Sequence, residues 1–150
     1  MTLIEYIGRN LKDDDVIDLL EHHDMEVIYV FDRLHEDSPD EYTSSAHDGG
    51  FELRFDNGQV LTTIFCYTEE RDGFSPVDPD VVGAPFFASP AEARAASEKE
   101  GANCKHKNDV EFLGRRLSWV SFETGGHKMH YQYSENGLSM ITFALLEAVV

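Results

Sequence analysis

The sequence predicts an α+β fold. A single domain over residues 1–150 carries a largely antiparallel sheet, with N-terminal helices and one further helix packed against it. Three observations carry that prediction. Two Asn-Gly pairs, Asn57-Gly58 and Asn136-Gly137, each divide runs rich in β-branched and aromatic residues, as hairpins do. Helix start signals cluster at the N-terminus and at Ser89-Pro90. Strand-like and helix-like segments do not alternate, which argues against a parallel sheet. With 150 residues, 41% of them hydrophobic, the chain is long enough to bury one core.

TLIEYIGRNL comes first. Thr2 stands three residues before Glu5, a capping box ahead of a short helix, and Leu3, Ile4, Ile7 and Leu11 recur at helical spacing. Asp13, Asp14 and Asp15 then precede VIDLLEHH. Carboxylates suit a helix N-terminus because they accept from its free N–H groups. A second helix is predicted at about residues 14–23, with Val16, Ile17, Leu19 and Leu20 on its buried side. Val27, Ile28, Tyr29, Val30 and Phe31 form a strand run. HEDSPDEYTSSAHDGG is polar and acidic and reads as a loop, with at most a short strand at Glu41 to Thr43.

FELRFDNGQVLTTIFCY has the strongest local pattern. A two-residue turn at Asn57-Gly58 sets Phe55 opposite Val60, Leu53 opposite Thr62 and Phe51 opposite Ile64. Glu52 and Arg54 then share the other face with Leu61, Thr63 and Phe65. VLTTIFCY is apolar on both faces, which predicts a central strand covered on both sides. TEERDGFSPVDPDVVGAPFF reads as a long ordered loop. Ser89 as N-cap, Pro90 and Glu92 start a helix through AEARAASEKE, which Gly101 ends. ANCKHKNDVEFLGRR is polar and gives no element. LSWVSFE, HKMHYQYS and LSMITFALLEA form a closing meander, turning at Thr124-Gly125-Gly126 and Asn136-Gly137. A two-residue turn at the latter pairs Tyr133 with Met140 and Tyr131 with Thr142.

Charge is the second clear signal. The chain holds 29 acidic and 12 basic residues, a net charge of -17. Residues 1–80 carry 21 acids and 5 bases, a net of -16; residues 81–150 carry 8 and 7, a net of -1. Phosphate backbones need Lys and Arg, so nucleic acid is not expected as a direct ligand. A basic protein partner would be attracted and steered. No apolar run reaches membrane-spanning length, and the N-terminus lacks the pattern of a secretion signal. Two cysteines give no disulfide framework, so a cytoplasmic location is expected.

The search for chemistry returns little. The seven histidines show no metal-binding spacing: His22 and His23 are adjacent, and His127 and His130 fall on opposite faces of a strand. No metal or other cofactor is expected. No Gly-x-Ser-x-Gly elbow occurs, and Cys66 sits mid-strand as a buried, inert thiol. Cys104, beside Lys105, His106 and Lys107, is the one candidate reactive thiol. A small enzyme with a cryptic site at Cys104 or a histidine is therefore one alternative. A self-associating or ligand-binding module using Tyr131 and Tyr133, forming a weak homo-oligomer, is another. Strong structural signals without a catalytic constellation favour a binding module.

LIEYIGRN, FELRFDNGQVLTTIFCY, DGFSP, VVGAPFFASPAEAR, LSWVSFETGGHKMHYQY and NGLSMITF occur in that order. The set resembles small bacterial immunity proteins encoded beside toxins of contact-dependent growth inhibition and other polymorphic toxin systems. The resemblance spans most of residues 3–143. It implies a protein that binds a cognate toxin C-terminal domain, often a nuclease, and blocks it in the producing cell. It does not supply a binding site, because partner-contacting residues vary in such families. Charge fills that gap. A nuclease holds phosphates in a basic groove, which an acidic surface can occlude. The expected toxin-binding residues are Asp32, Glu36, Asp37, Asp40 and Glu41, then Glu69, Glu70 and Asp72.

Overall fold

The structure is a computed structural model that describes residues 1–30, 40–112 and 114–146. Its strands are β1 (Val27–Val30), β2 (Glu41–Ala46), β3 (Phe51–Phe55), β4 (Leu61–Tyr67), β5 (Cys104–Phe112), β6 (Arg115–Thr124), β7 (His127–Ser134) and β8 (Gly137–Leu145). All pair antiparallel in one sheet, ordered β1-β2-β3-β4-β8-β7-β6-β5. The sheet is thus two four-strand meanders, one from each half of the chain, joined where β4 pairs with β8. A 3-10 helix (Leu3–Tyr6), α1 (Asp14–His22), α2 (Pro79–Val82) and α3 (Pro90–Lys99) complete the α+β fold.

Caps fix the starts of the 3-10 helix and of α3 as the sequence predicts, whereas Asp13, the N-cap of α1, makes no side-chain cap hydrogen bond. The Thr2 N–H donates to Glu5 Oε2 at 2.6 Å, and Ser89 Oγ accepts from the Glu92 N–H at 3.3 Å. Glu92 Oε2 in turn accepts from the Ala88 N–H at 2.9 Å. At the C-terminus of α3, the Gly101 N–H donates to Glu98 O and the Ala102 N–H to Ser97 O, a Schellman closure.

One face of the sheet meets the helices. Phe51, Leu53, Phe55, Leu61, Ile64, Cys66, Met129, Tyr131, Ile141 and Phe143 are buried there with Leu3, Val16, Leu19, Val82 and Ala93. The other face is only half-buried: Glu52, Arg54, Thr63, Phe65 and Tyr67 alternate with the core residues. β4 is central, but it is not covered on both sides as its apolar composition predicts. Ile17 is also not buried; it stays 39% exposed on α1.

Neither Asn-Gly turn takes the predicted geometry, and a side chain ahead of each caps it. The first is a three-residue loop, Asn57 to Gln59, with the left-handed residue last; the second keeps two residues but shifts to Glu135-Asn136, between paired Ser134 and Gly137. Asp56 Oδ1 accepts from the Val60 N–H at 2.9 Å, and Gln59 takes φ +67°. Phe55 then faces Leu61, Leu53 faces Ile64 and Phe51 faces Cys66, with a bulge at Arg54/Phe55. That shift moves Leu61 onto the core face. In the second hairpin Ser134 Oγ accepts from the Asn136 N–H at 3.2 Å, and Gly137 takes φ +106°. Tyr133 faces Leu138 and Tyr131 faces Ile141.

Three elements differ from expectation. The acidic loop contains a full strand, β2, over Glu41–Ala46, and the long loop after β4 contains the single-turn α2. The unassigned polar stretch is the edge strand β5.

Tyr131 and Tyr133 are buried, so they do not form a surface for self-association. Their hydroxyls donate to Pro85 O and Phe87 O, each at 3.0 Å. The connection between the two meanders is thereby tied to β7. Burial raises both phenols, that of Tyr133 to about 12 from an ordinary value of 10. The folded protein keeps these protons at a pH where the unfolded chain releases them. Their stabilisation is therefore complete below about pH 10 and is lost as pH climbs toward 12. We expect urea-unfolding free energy to fall by about 1.4 kcal/mol per pH unit for each phenol in that window. Tyr133→Phe should have a shallower slope, and equal slopes would show that its phenol is not protected.

Candidate partner-binding surface

The division of charge along the sequence becomes a division in space. Residues 1–80 supply β1 to β4 and α1, and residues 81–150 supply α3 and β5 to β8. Because each meander stays together, the half of the sheet from β1 to β4 belongs to the segment with net charge -16.

Asp40 and Glu41 lie where the chain enters β2, beside β1. The Tyr29 hydroxyl donates to Asp40 Oδ2, which raises the Tyr29 phenol above its ordinary value. Glu41 Oε2 is 3.8 Å from Arg54 Nε. The Arg54 guanidinium lies 5.0 Å from the centre of the Phe65 ring, on the half-buried face of the sheet. Asp32, Glu36 and Asp37 fall outside the described residues.

Glu69, Glu70 and Asp72 follow β4. Asp72 and Gly73 both have positive φ, 49° and 86°, as a tight hairpin turn requires. Arg71 and Phe74 exchange backbone hydrogen bonds of 3.1 and 2.8 Å across it. Phe74 is stacked between His47 and Tyr67, with both centroid distances 4.4 Å. These acids therefore sit on an ordered segment. They line a cleft of about 670 Å³ together with Arg71, Arg115 and Arg116. Arg115 and Arg116 come from the start of β6 and are the last two residues of the stretch to which the sequence assigned no element. The cleft therefore carries both signs of charge.

The two acidic groups are not brought together. Glu41 pairs with Val30 and Tyr42 with Phe55, at the Asn57-Gly58 end of the sheet. Glu69 lies beyond Tyr67, at the other end of β4. The run of β4 separates them by roughly 20 Å, and the half-buried sheet face lies between.

Little chemistry assembles around the alternatives. Cys104 lies in β5 opposite Phe122, packed against the core, not in a polar loop. Lys105 and Lys107 alternate to the other side of the strand. His106 has its Nε2 3.2 Å from Arg94 Nη1. Burial pushes the Cys66 thiol far up, which keeps it protonated. His22 and His23 meet edge to face at 4.9 Å, and His130 stacks on Trp119 at 5.4 Å. Burial, and then nearby Lys128, lowers the His130 imidazole below its ordinary value. Among the described residues no three His, Cys, Asp or Glu side chains form a group able to hold a metal. No described helix is long and apolar enough to cross a membrane. No protein-family model, curated protein or solved structure matches the chain.

Proposed function

We propose that this protein is a cytoplasmic immunity protein that binds a cognate bacterial toxin domain and neutralises it without turnover. The observation that carries the reading is the segregation of acidity: the β1–β4 half of the sheet comes from the segment of net charge -16. The toxin domain most suited to such a surface is a nuclease, whose phosphate-binding groove must be basic. An acidic face laid over that groove excludes nucleic acid and accelerates its own docking. Asp40 and Glu41 stand on this half, and Glu69, Glu70 and Asp72 stand at its far end. Nucleic acid itself is not a ligand in this reading.

The direct test is co-expression with the C-terminal domain of a large secreted protein encoded next to the gene. The two chains should co-purify, and the protein should restore growth to cells expressing the domain. Asp40→Lys combined with Glu41→Lys should slow association about tenfold at low salt and flatten its salt dependence. Glu69→Lys with Glu70→Lys tests separately whether the mixed-charge cleft takes part. Association rates that do not respond to salt in the unmodified protein would remove the electrostatic mechanism.

A further inference from the structure

The two edges of the sheet are built in opposite ways. β5 carries the protections that edge strands commonly have: Lys105, Lys107 and Glu111 along its length, and an irregularity between Lys107 and Val110 with Asp109 at φ +52°. β1 has none of these. It reads Val27, Ile28, Tyr29, Val30, and its four side chains are 38, 58, 46 and 46% exposed. They are the majority of the large exposed apolar side chains among the described residues. Alternate residues of β1 point to opposite faces, so Ile28 and Val30 are exposed on one face and Val27 on the other. β1 pairs only with β2 among the described strands. On its outer side an edge strand presents N–H and C=O groups that a further strand can bond.

We propose that β1 is a docking edge, which extends the sheet by accepting an extended, basic segment of a partner protein. Main-chain hydrogen bonds would supply the pairing, and Ile28 and Val30 on one face, with Val27 on the other, would supply apolar contact. Charge selects the occupant. Asp24 and Glu26 precede the strand, and Asp40 and Glu41 stand beside it. A second copy would set the acidic halves of two chains of net charge -17 against each other. A segment carrying Lys or Arg around alternating apolar residues meets complementary charge instead. The identity of that partner as a toxin domain rests on the proposed function; the edge does not.

The test uses the full chain and two peptides with the same alternating Val-Thr centre, one flanked by lysines and one by glutamates. The lysine-flanked peptide should bind saturably and slow amide hydrogen exchange at Val27–Val30. The glutamate-flanked peptide should bind at least about tenfold more weakly. Ile28→Asp with Val30→Asp adds negative charge but removes apolar contact. If β1 accepts a strand, this variant binds the lysine peptide less tightly; if the attraction is only long-range charge, it binds more tightly, and the proposal falls. A thermal midpoint confirms that the variant is folded, and the exchange pattern of the unmodified protein gives a readout independent of it. Exchange slowed only outside β1, no saturable binding, or a concentration-dependent dimer protected at β1 would each overturn the proposal. Rescue from a toxin that survives the double Asp variant would also overturn β1 docking while leaving the immunity reading intact. Peptide binding at β1 by a protein that neutralises no toxin would do the reverse.

Discussion

Gly50→Ala should destabilise the protein by about 2–5 kcal/mol, the largest effect expected of adding one methyl group. Gly50 closes the connection between β2 and β3. Its N–H donates to Ala46 O at 2.8 Å, its carbonyl accepts from the Tyr67 N–H at 2.9 Å, and its φ is +76°. Two costs combine there. A side chain in the left-handed region costs about 1–2 kcal/mol. The added Cβ would also strike Ser75 O and lie 2.5 Å from Val77 N and 2.8 Å from Val77 Cα. Those are main-chain atoms, and they are not free to retreat. The Ser75 N–H donates to His47 O at 2.8 Å, and the Val77 N–H to Tyr67 O at 2.7 Å. Gly101→Ala is the control. Its φ is +71°, but a Cβ there meets nothing within 4 Å, so only the conformational cost, about 1–2 kcal/mol, applies. Urea denaturation of both variants decides the matter, and equal losses would show that the 75–77 segment yields easily. If the segment is as fixed as its hydrogen bonds imply, Gly50→Ala should lower the thermal midpoint by roughly 5–15 °C.

The same corner shows what the sequence could and could not tell. TEERDGFSPVDPDVVGAPFF was legible as a long ordered loop, but the tight turn at Asp72-Gly73 within it was not singled out. That the turn pins Phe74 between His47 and Tyr67 was not legible, because the contact joins three segments distant in sequence. The interior strands other than β2 were legible from alternation or apolar content. The edges were misleading in both directions. β5 is polar because little of it is buried, and its pairing to β6 is carried by backbone groups common to every residue. β1 looks like a core strand and is exposed throughout. Register failed at both Asn-Gly turns: the first loop gains a residue, with Gln59 at positive φ, and the second shifts by one residue to Glu135-Asn136. For the candidate surface, the sequence identified the acids and their uneven distribution. It had no means to show that Asp40 and Glu41 lie at one end of the sheet and Glu69 and Glu70 at the other. Arg115 and Arg116 escaped notice because only tertiary structure places them against Glu69.

Tyr131→Ala should cost about 3–5 kcal/mol, a large share of the roughly 5–15 kcal/mol that holds a domain folded. The ring is fully buried on β7, stacked on Phe122 at 5.9 Å and tilted against Phe87 at 5.1 Å. Truncation leaves a cavity among residues held by strand pairing on both sides, which cannot close freely. Tyr131→Phe isolates the smaller part of the effect. It keeps the ring and removes only the bond to Pro85 O, for about 1 kcal/mol. Denaturant midpoints should therefore rank the unmodified protein above Tyr131→Phe and both well above Tyr131→Ala. A small, similar loss in the two variants would mean that the cavity collapses and the core around β7 is plastic. The location of the damage matters for function. Tyr131 supports the β5–β8 meander and the Pro85–Phe87 connection, whereas Asp40, Glu41 and β1 stand on the other meander. Under conditions where Tyr131→Ala remains folded, its association rate with the partner should match that of the unmodified protein. A slowed rate at full folding would place part of the recognition surface on β7 or its neighbours, because a merely structural loss reduces the amount of competent protein and leaves the encounter of each folded molecule unchanged.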